Sequence, residues 1–245
     1  MELKNRVALI TGSAHRVGKE IAQTLAREKV KIALHFNSSG KEAEKTLQEI
    51  SKTGGDAILL EADLSRISEI AQLVGKTISH FSRIDILINN AAIYYKTPLH
   101  KITESDWDNF LTVNLKAPFF CCQMVSEYMK KQQCGKIINI TDVAGFTPWS
   151  EFLPYSISKA GLISMTKGLA IALAPDIQVN AIASGTVLMS SDASEEYKEQ
   201  IRENTLLKRI GSPKDIAQTV LFLLRGTDYM TGSVVTVDGG KLLAS

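Results

Sequence analysis

Short apolar runs recur along the whole chain, each separated from the next by a longer amphipathic stretch. They are "RVALIT", "VKIALHF", "DAILLEADL", "DILINN", "GKIINIT", "IQVNAIA" and "SVVTVDGG". Between them stand "VGKEIAQTLAREK", "KEAEKTLQEISKT", "ISEIAQLVGKTISHF", "ESDWDNFLTVNLKAPFFCCQMVSEYMKKQ" and "YSISKAGLISMTKGLAIALA", with apolar residues three to four apart. The short runs have strand length and the long ones helix periodicity. Strands apolar on both faces are covered on both faces, which favours a parallel sheet. Alternating βα units then require helices on both sides of that sheet, joined by right-handed crossovers. No Pro/Gly/Ser-rich linker, composition break or repeat interrupts the 245 residues. A single α/β domain over 1–245 is expected.

Composition removes several function classes. Hydrophobic residues make up 44% and charged residues 22%, the balance of a water-soluble globular chain. A formal net charge of +2, with no Lys/Arg cluster, argues against nucleic acid or an anionic membrane as partner. No run approaches the roughly 18–20 apolar residues of a membrane helix. "MELKNRVALITGS" lacks the apolar core of a secretory signal. The cysteines (Cys121, Cys122, Cys134) are odd in number and two are adjacent, which suits neither a disulfide framework nor metal-ligand spacing. Reduced thiols, no metal and a cytoplasmic location are therefore expected. The segments 104–131 and 155–174 are apolar on more than one side, which favours helix-to-helix association between subunits. The polar segment 187–208 breaks the βα rhythm after a strand end, where such sheets bind ligands, and reads as a substrate loop or lid.

The first strand runs into "TGSAHRVGKEIA", with Gly12 and Gly18 flanking a tight turn into a helix. Glycine lets backbone amides approach a pyrophosphate, and the helix N-terminus adds unpaired N–H groups and a positive dipole end. This context points to a Rossmann-type, doubly wound dinucleotide fold. The middle glycine of the usual pattern is absent and Arg16 stands near its place, a cation able to reach a phosphate or a ring carbonyl. After the second strand, "HFNSSGKEAEK" offers no carboxylate for a ribose 2′-hydroxyl. Asn37, Ser38 and Ser39, with Lys41 behind them, suit a 2′-phosphate and hence NADPH (NADP+). The same residues would also serve as a plain helix N-cap.

In "NITDVAGFTPWSEFLPYSISKAG" Tyr155 and Lys159 lie four positions apart. On a helix they share a face, and a neighbouring ammonium lowers a phenol from its usual ~10 toward neutrality. Such a phenol can hand a proton to a substrate oxygen or nitrogen while hydride arrives from a nicotinamide. A Y-x-x-x-K pair alone is weak evidence, because amphipathic helices carry such pairs by chance.

Taken in order, "TGSAHRVG", "DLS" at 63–65, "NNAA" at 89–92, Asn114 in "VNLKAPF", "YSISK" and the late "VDGG" resemble the short-chain dehydrogenase/reductase family along nearly the whole chain. The resemblance implies that Asn114, Tyr155 and Lys159 are three members of the family's catalytic tetrad. In it, Asn114 would hold a water that relays protons to Lys159, and Lys159 would bind the nicotinamide ribose. It further implies that Gly12, His15, Arg16, Val17 and Gly18 form the phosphate turn. Asp63 and Leu64 would lie beside the adenine, Asn90 and Ala91 along the cofactor channel, and Gly185 and Val187 beside the nicotinamide. Ser184 stands where the family's loop usually begins with proline. The family's serine, thirteen residues before the tyrosine, is Asp142 here. An ionised aspartate repels a developing oxyanion. It becomes useful when protonated, or when the substrate presents N–H donors or a nitrogen to protonate.

The same departures, together with "LHF" at 34–36 and "NNAAIYYKTPL", resemble the pteridine reductases. By that resemblance Tyr94 would stack on a pterin, and Arg16 and Asp142 would help to orient it. Ser38 and Ala92 depart from that subgroup. Two plainer readings of Asp142 stand beside this one. Thr141 could supply the hydroxyl instead, or Asp142 could cap a turn. The expected activity is an NADPH-dependent reduction of a C=O or C=N group in a small molecule, with a pteridine as one substrate and a family-typical homotetramer as the assembly. A 3-oxoacyl-carrier-protein reductase or general carbonyl reductase is the alternative, since the tail "KRIGSPKDIAQTVLFLLRGTDYMTGSVVTVDGG" resembles those enzymes as well. A non-catalytic dinucleotide sensor is a remote third reading.

Overall fold

The computed structural model describes residues 1–189 and 193–244. Each apolar run forms a strand: β1 (Val7–Ile10), β2 (Lys31–Phe36), β3 (Ala57–Glu61), β4 (Ile86–Asn89), β5 (Gly135–Asp142), β6 (Ile177–Ser184) and β7 (Val234–Val237). They make one seven-stranded sheet in the order β3-β2-β1-β4-β5-β6-β7, and every pairing is parallel. The helices are α1 (Arg16–Arg27), α2 (Gly40–Lys52), α3 (Ile67–Phe81), α4 (Glu104–Leu111), α5 (Ala117–Lys131), α6 (Leu153–Leu173), α7 (Glu195–Glu203), α8 (Pro213–Arg225) and the short α9 (Lys241–Ala244).

Strand alternation sends neighbouring side chains to opposite layers. Ala8, Ile10, Ile32, Leu34, Ile86, Ile88, Ile138 and Ile182 enter one core with α1 and α8. Leu9, Ala33, Leu87, Ile137 and Val179 enter the other with α3, α5 and the far end of α6. The chain winds outward from β1 in both directions. The crevice between β1 and β4, at the carboxyl ends of the strands, is therefore the place where the strand order reverses and ligands bind.

The stretch 104–131, which reads as one helix, is divided. A wide π-turn, Thr112–Lys116, separates α4 from α5. Helix α8 was not foreseen from its sequence, although a capping box between Ser212 and Asp215 marks its start. The expected loop at 187–208 contains α7, and residues 190–192 of it lie outside the described residues. Among the described residues no helix is long and apolar enough to cross a membrane.

Cys121 and Cys122 are fully buried on α5, and burial raises both thiols, Cys122 to about 12. Cys134 is only partly covered. A thiol reagent should therefore label one cysteine rapidly in the native protein and all three after denaturation, which a spectrophotometric thiol titration reads directly.

Candidate active site

The turn after β1 is shaped by close approach. Gly12 has φ +63°, and a Cβ there would lie 2.9 Å from the Ala91 Cα. A Cβ on Gly18 would collide with the Gly12 carbonyl oxygen. Asn90 Nδ2 donates to the carbonyls of Thr11 and Gly12, both at 2.9 Å, while Thr11 Oγ1 accepts from the backbone N–H groups of Asn90 and Ala91. Helix α1 begins at His15 with no side-chain cap and no acid in its first turn, so its positive end opens on the crevice. Arg16 has φ +56°, a left-handed backbone that the missing glycine of the pattern would adopt freely. Replacing Arg16 by glycine relieves about 1 kcal/mol of strain, offset by a similar entropic cost in the unfolded chain. The melting temperature should thus stay within a few degrees by calorimetry.

A single cleft of about 530 Å³ runs from this turn to the end of β5. Gly12, His15, Arg16, Val17 and Gly18 line its phosphate end, with Asn37, Ser38, Ser39, Asp63 and Leu64 beyond. Ser39 stands at the N-cap of α2, yet its hydroxyl caps no helix N–H. The plain capping reading therefore leaves that hydroxyl unused. Lys41 is exposed and does not line the cleft; at this end Arg16 does. Asn90, Ala91, Tyr94, Asp142, Tyr155, Lys159, Gly185 and Val187 line the other end. With a glycine cradle, an uncapped helix end and neutral donors without a carboxylate at the β2 terminus, the residues present fit a dinucleotide with a 2′-phosphate.

At the reactive end, Tyr155 is 6% exposed and its hydroxyl donates to Asp142 Oδ2 at 3.1 Å. The other carboxylate oxygen, Oδ1, accepts from the Ala144 N–H at 2.8 Å. Capping and side-chain contact thus coexist at Asp142. Thr141 is turned away, its hydroxyl donating to the Lys159 carbonyl, which removes it as the missing donor. Lys159 Nζ donates to the Ile140 carbonyl at 3.0 Å and lies 5.6 Å from the centre of the Tyr155 ring.

The electrostatics correct one expectation. The Tyr155 phenol is not acidified: burial, and then the facing Asp142 carboxylate, push it well above its usual 10. Burial lowers the Lys159 ammonium to about 8 and raises the Asp142 carboxyl above its ordinary value, outweighing its backbone bond and the neighbouring cations. The cluster therefore holds its protons on tyrosine, and the aspartate is the group whose charge the site resists.

Asn114 lies in the π-turn, 1% exposed, and does not line the cleft. Its amide brackets the Ile93 backbone, accepting from N–H at 2.9 Å and donating to C=O at 3.1 Å, and also donates to Ser158 Oγ. It ties the segment carrying Tyr94 to the helix carrying Tyr155. The bridge between Thr97 and Phe152 and the ion pair of Lys96 with Glu151 do the same further along.

Sequence reading missed an aromatic enclosure. Tyr94 stacks on Phe152 (4.7 Å, 3°) and meets Tyr155 edge-on (4.9 Å, 72°). Trp149 and Phe110 also border Tyr155, and Lys241 Nζ sits 4.5 Å over the Trp149 ring. The signal was present in "FTPWSEFLPY", where aromatics crowd the residues just before the tyrosine. Ser184, in place of proline, leaves the loop tied by Gly185 N–H to the Val237 carbonyl and Gly211 N–H to the Thr186 carbonyl.

A tyrosine and a lysine on one helix, facing a glycine turn across the switch point of a parallel sheet, are the equipment of a dinucleotide-dependent oxidoreductase. The chain belongs to the short-chain dehydrogenase/reductase family. The family model described as enoyl-(acyl carrier protein) reductase matches residues 12–241. Relatives include the 3-oxoacyl-[acyl-carrier-protein] reductase of Synechocystis, 38% identical over 98% of each chain. The 3-oxoacyl-[acyl-carrier-protein] reductase FabG of Staphylococcus epidermidis is 35% identical over 98% of this chain and 100% of its own length. Among solved structures, a putative short-chain alcohol dehydrogenase from Sinorhizobium meliloti superposes with a TM-score of 0.94 at 30% identity, covering 99% of this chain and 98% of that one.

Proposed function

We propose that the protein is an NADPH-dependent reductase of a polarised C=O or C=N group, with 3-oxoacyl thioesters as the substrate class that the names of its relatives support best. The observation that carries the reductase reading is the buried cluster of Tyr155, Asp142 and Lys159 at the end of the cleft that begins at the glycine turn. Gly12, Arg16, Gly18 and Asn37–Ser39 would hold the phosphates, Asp63 and Leu64 the adenine, and Lys159 the nicotinamide ribose. Bound there, the reduced nicotinamide supplies hydride. Tyr155, protonated throughout the neutral range, delivers the proton to the substrate heteroatom. Lys159 compensates the charge left on the phenol, and Asn114 holds the wall between Tyr94 and the catalytic helix in place.

Asp142 favours a second reading. A carboxylate bonded to the proton donor suits a flat nitrogen-rich ring better than a simple carbonyl, and the half-exposed Tyr94 offers a ring for stacking. A dihydropterin meets both requirements. Following NADPH consumption with acetoacetyl thioester and with dihydropterin separates the two: turnover of the thioester alone ends the pteridine reading. No turnover of either, with NADPH still bound, would instead support a dinucleotide sensor.

The protein is further proposed to act in the cytoplasm as a homotetramer. Phe119 on α5 and Ile157 and Ile171 on α6 remain exposed, Ile171 at 83%, on the two segments whose apolar sequence favours contact between subunits. Light scattering should give a mass well above the 26.8 kDa of one chain.

A further inference from the structure

Outside the proton chemistry, one imidazole ties together two loops of the cleft. His35, on β2, is 2% exposed. Its Nδ1 accepts the Gly12 N–H at 3.0 Å, and its Nε2 lies 3.0 Å from the Ala62 carbonyl. These partners fix the tautomer, because a backbone N–H can only donate and a carbonyl can only accept: Nε2 carries the hydrogen and Nδ1 the free lone pair. Burial lowers its basicity and keeps the ring neutral, the only form able to make both bonds. The His35 carbonyl accepts from the Ser13 N–H at 2.9 Å as well.

The Gly12 peptide is thus held from two sides. Its N–H goes to His35 on β2 and its carbonyl to Asn90 beyond β4. Ala62, at the far end of the imidazole, immediately precedes Asp63 and Leu64 at the adenine end of the cleft. One side chain therefore links the turn that faces the phosphates to the loop that faces the base, a span that no aliphatic residue of a buried strand could bridge by hydrogen bonds.

We infer that His35 is the positioning residue that couples the phosphate turn to the adenine loop and so sets dinucleotide affinity without entering catalysis. This rests on reading the cleft as a dinucleotide site. His35→Leu removes both side-chain bonds, whereas His35→Gln keeps an acceptor and a donor on one side chain. Fluorescence titration with NADPH, steady-state kinetics and hydrogen exchange on the protein alone test it together.

In His35→Leu, NADPH affinity should fall by about tenfold or more, the equivalent of one buried hydrogen bond, with kcat at saturating NADPH within about threefold of the parent. Exchange should quicken in both the 11–14 and 62–64 segments. His35→Gln should recover much of the affinity and slow both segments again. Unchanged affinity in His35→Leu, faster exchange in only one segment, or a glutamine variant no better than leucine would each overturn the inference. A parent protein that binds neither NADPH nor NADH would instead defeat the reading of the cleft, and the exchange data would still report whether His35 couples the two loops.

Discussion

Tyr155→Phe should lower turnover by about 10²–10⁴-fold, the usual worth of a positioned proton donor, while NADPH affinity stays within about twofold. The phenyl ring keeps its packing against Tyr94, Phe110 and Trp149, so the pocket wall survives. What disappears is the hydroxyl bonded to Asp142 Oδ2, the only one among the described residues. Leaving that buried oxygen without its donor should cost about 1–3 kcal/mol of stability and push the aspartate further toward its neutral form. Initial rates, cofactor titration and thermal unfolding on one preparation check all three effects. Undiminished turnover would remove Tyr155 from the chemistry.

Asp142→Ser should raise carbonyl reduction at slightly alkaline pH by on the order of 10- to 100-fold, because a hydroxyl donor replaces a carboxylate where an oxyanion develops. In the parent protein burial raises the Asp142 carboxyl above its usual value, so its charge is present only above that raised value. Carbonyl reduction should therefore improve as pH falls through it. At the other limit, Lys159 loses its proton near pH 8 and the rate declines as pH rises further. The serine variant should lose the first dependence and keep the second, moved to lower pH because Asp142 no longer supports the ammonium charge. Stability carries the same sign. A carboxyl raised in the folded state contributes fully below its unfolded value near 4 and loses that contribution as pH rises through its folded value. The variant should accordingly gain melting temperature at neutral pH. Rate–pH profiles for an acetoacetyl thioester and for a dihydropterin decide the matter, since a pteridine reductase would lose dihydropterin turnover in the same substitution.

The strands were legible because both of their faces are apolar, and "RVALIT" running into "TGSAHRVG" marked the turn suited to a pyrophosphate. Helix α8 was readable in principle from Ser212, Pro213 and Asp215, a capping pattern at the start of an apolar repeat. The division of 104–131 was not, because a π-turn leaves the apolar spacing on either side of it intact. The resemblance to the family implied that Arg16, Tyr94, Asp142 and Lys159 would meet, and all four line one cleft. The direction of the Tyr155 shift did not. Sequence spacing shows the lysine one turn away, whereas the dominant influences are burial and a carboxylate from β5, both products of tertiary packing. The link through His35 was hidden for a similar reason, since its partners lie 23 and 27 residues away in the chain.

The π-turn at Thr112–Lys116 carries one residue more than a regular helical path would need. Removing a residue such as Val113 would let α4 and α5 merge into one continuous rod with their outer faces nearly in register, because four residues at about 100° each turn the chain about as far as the five residues of the wide turn. Phe110 would keep its place beside Tyr155, and the change would fall on Asn114, which would lose the wide turn that aims its amide at the Ile93 backbone. The extra residue therefore acts as a local bracket, and shortening the chain here would unfasten the Ile93 segment from α6 while leaving both helices in place.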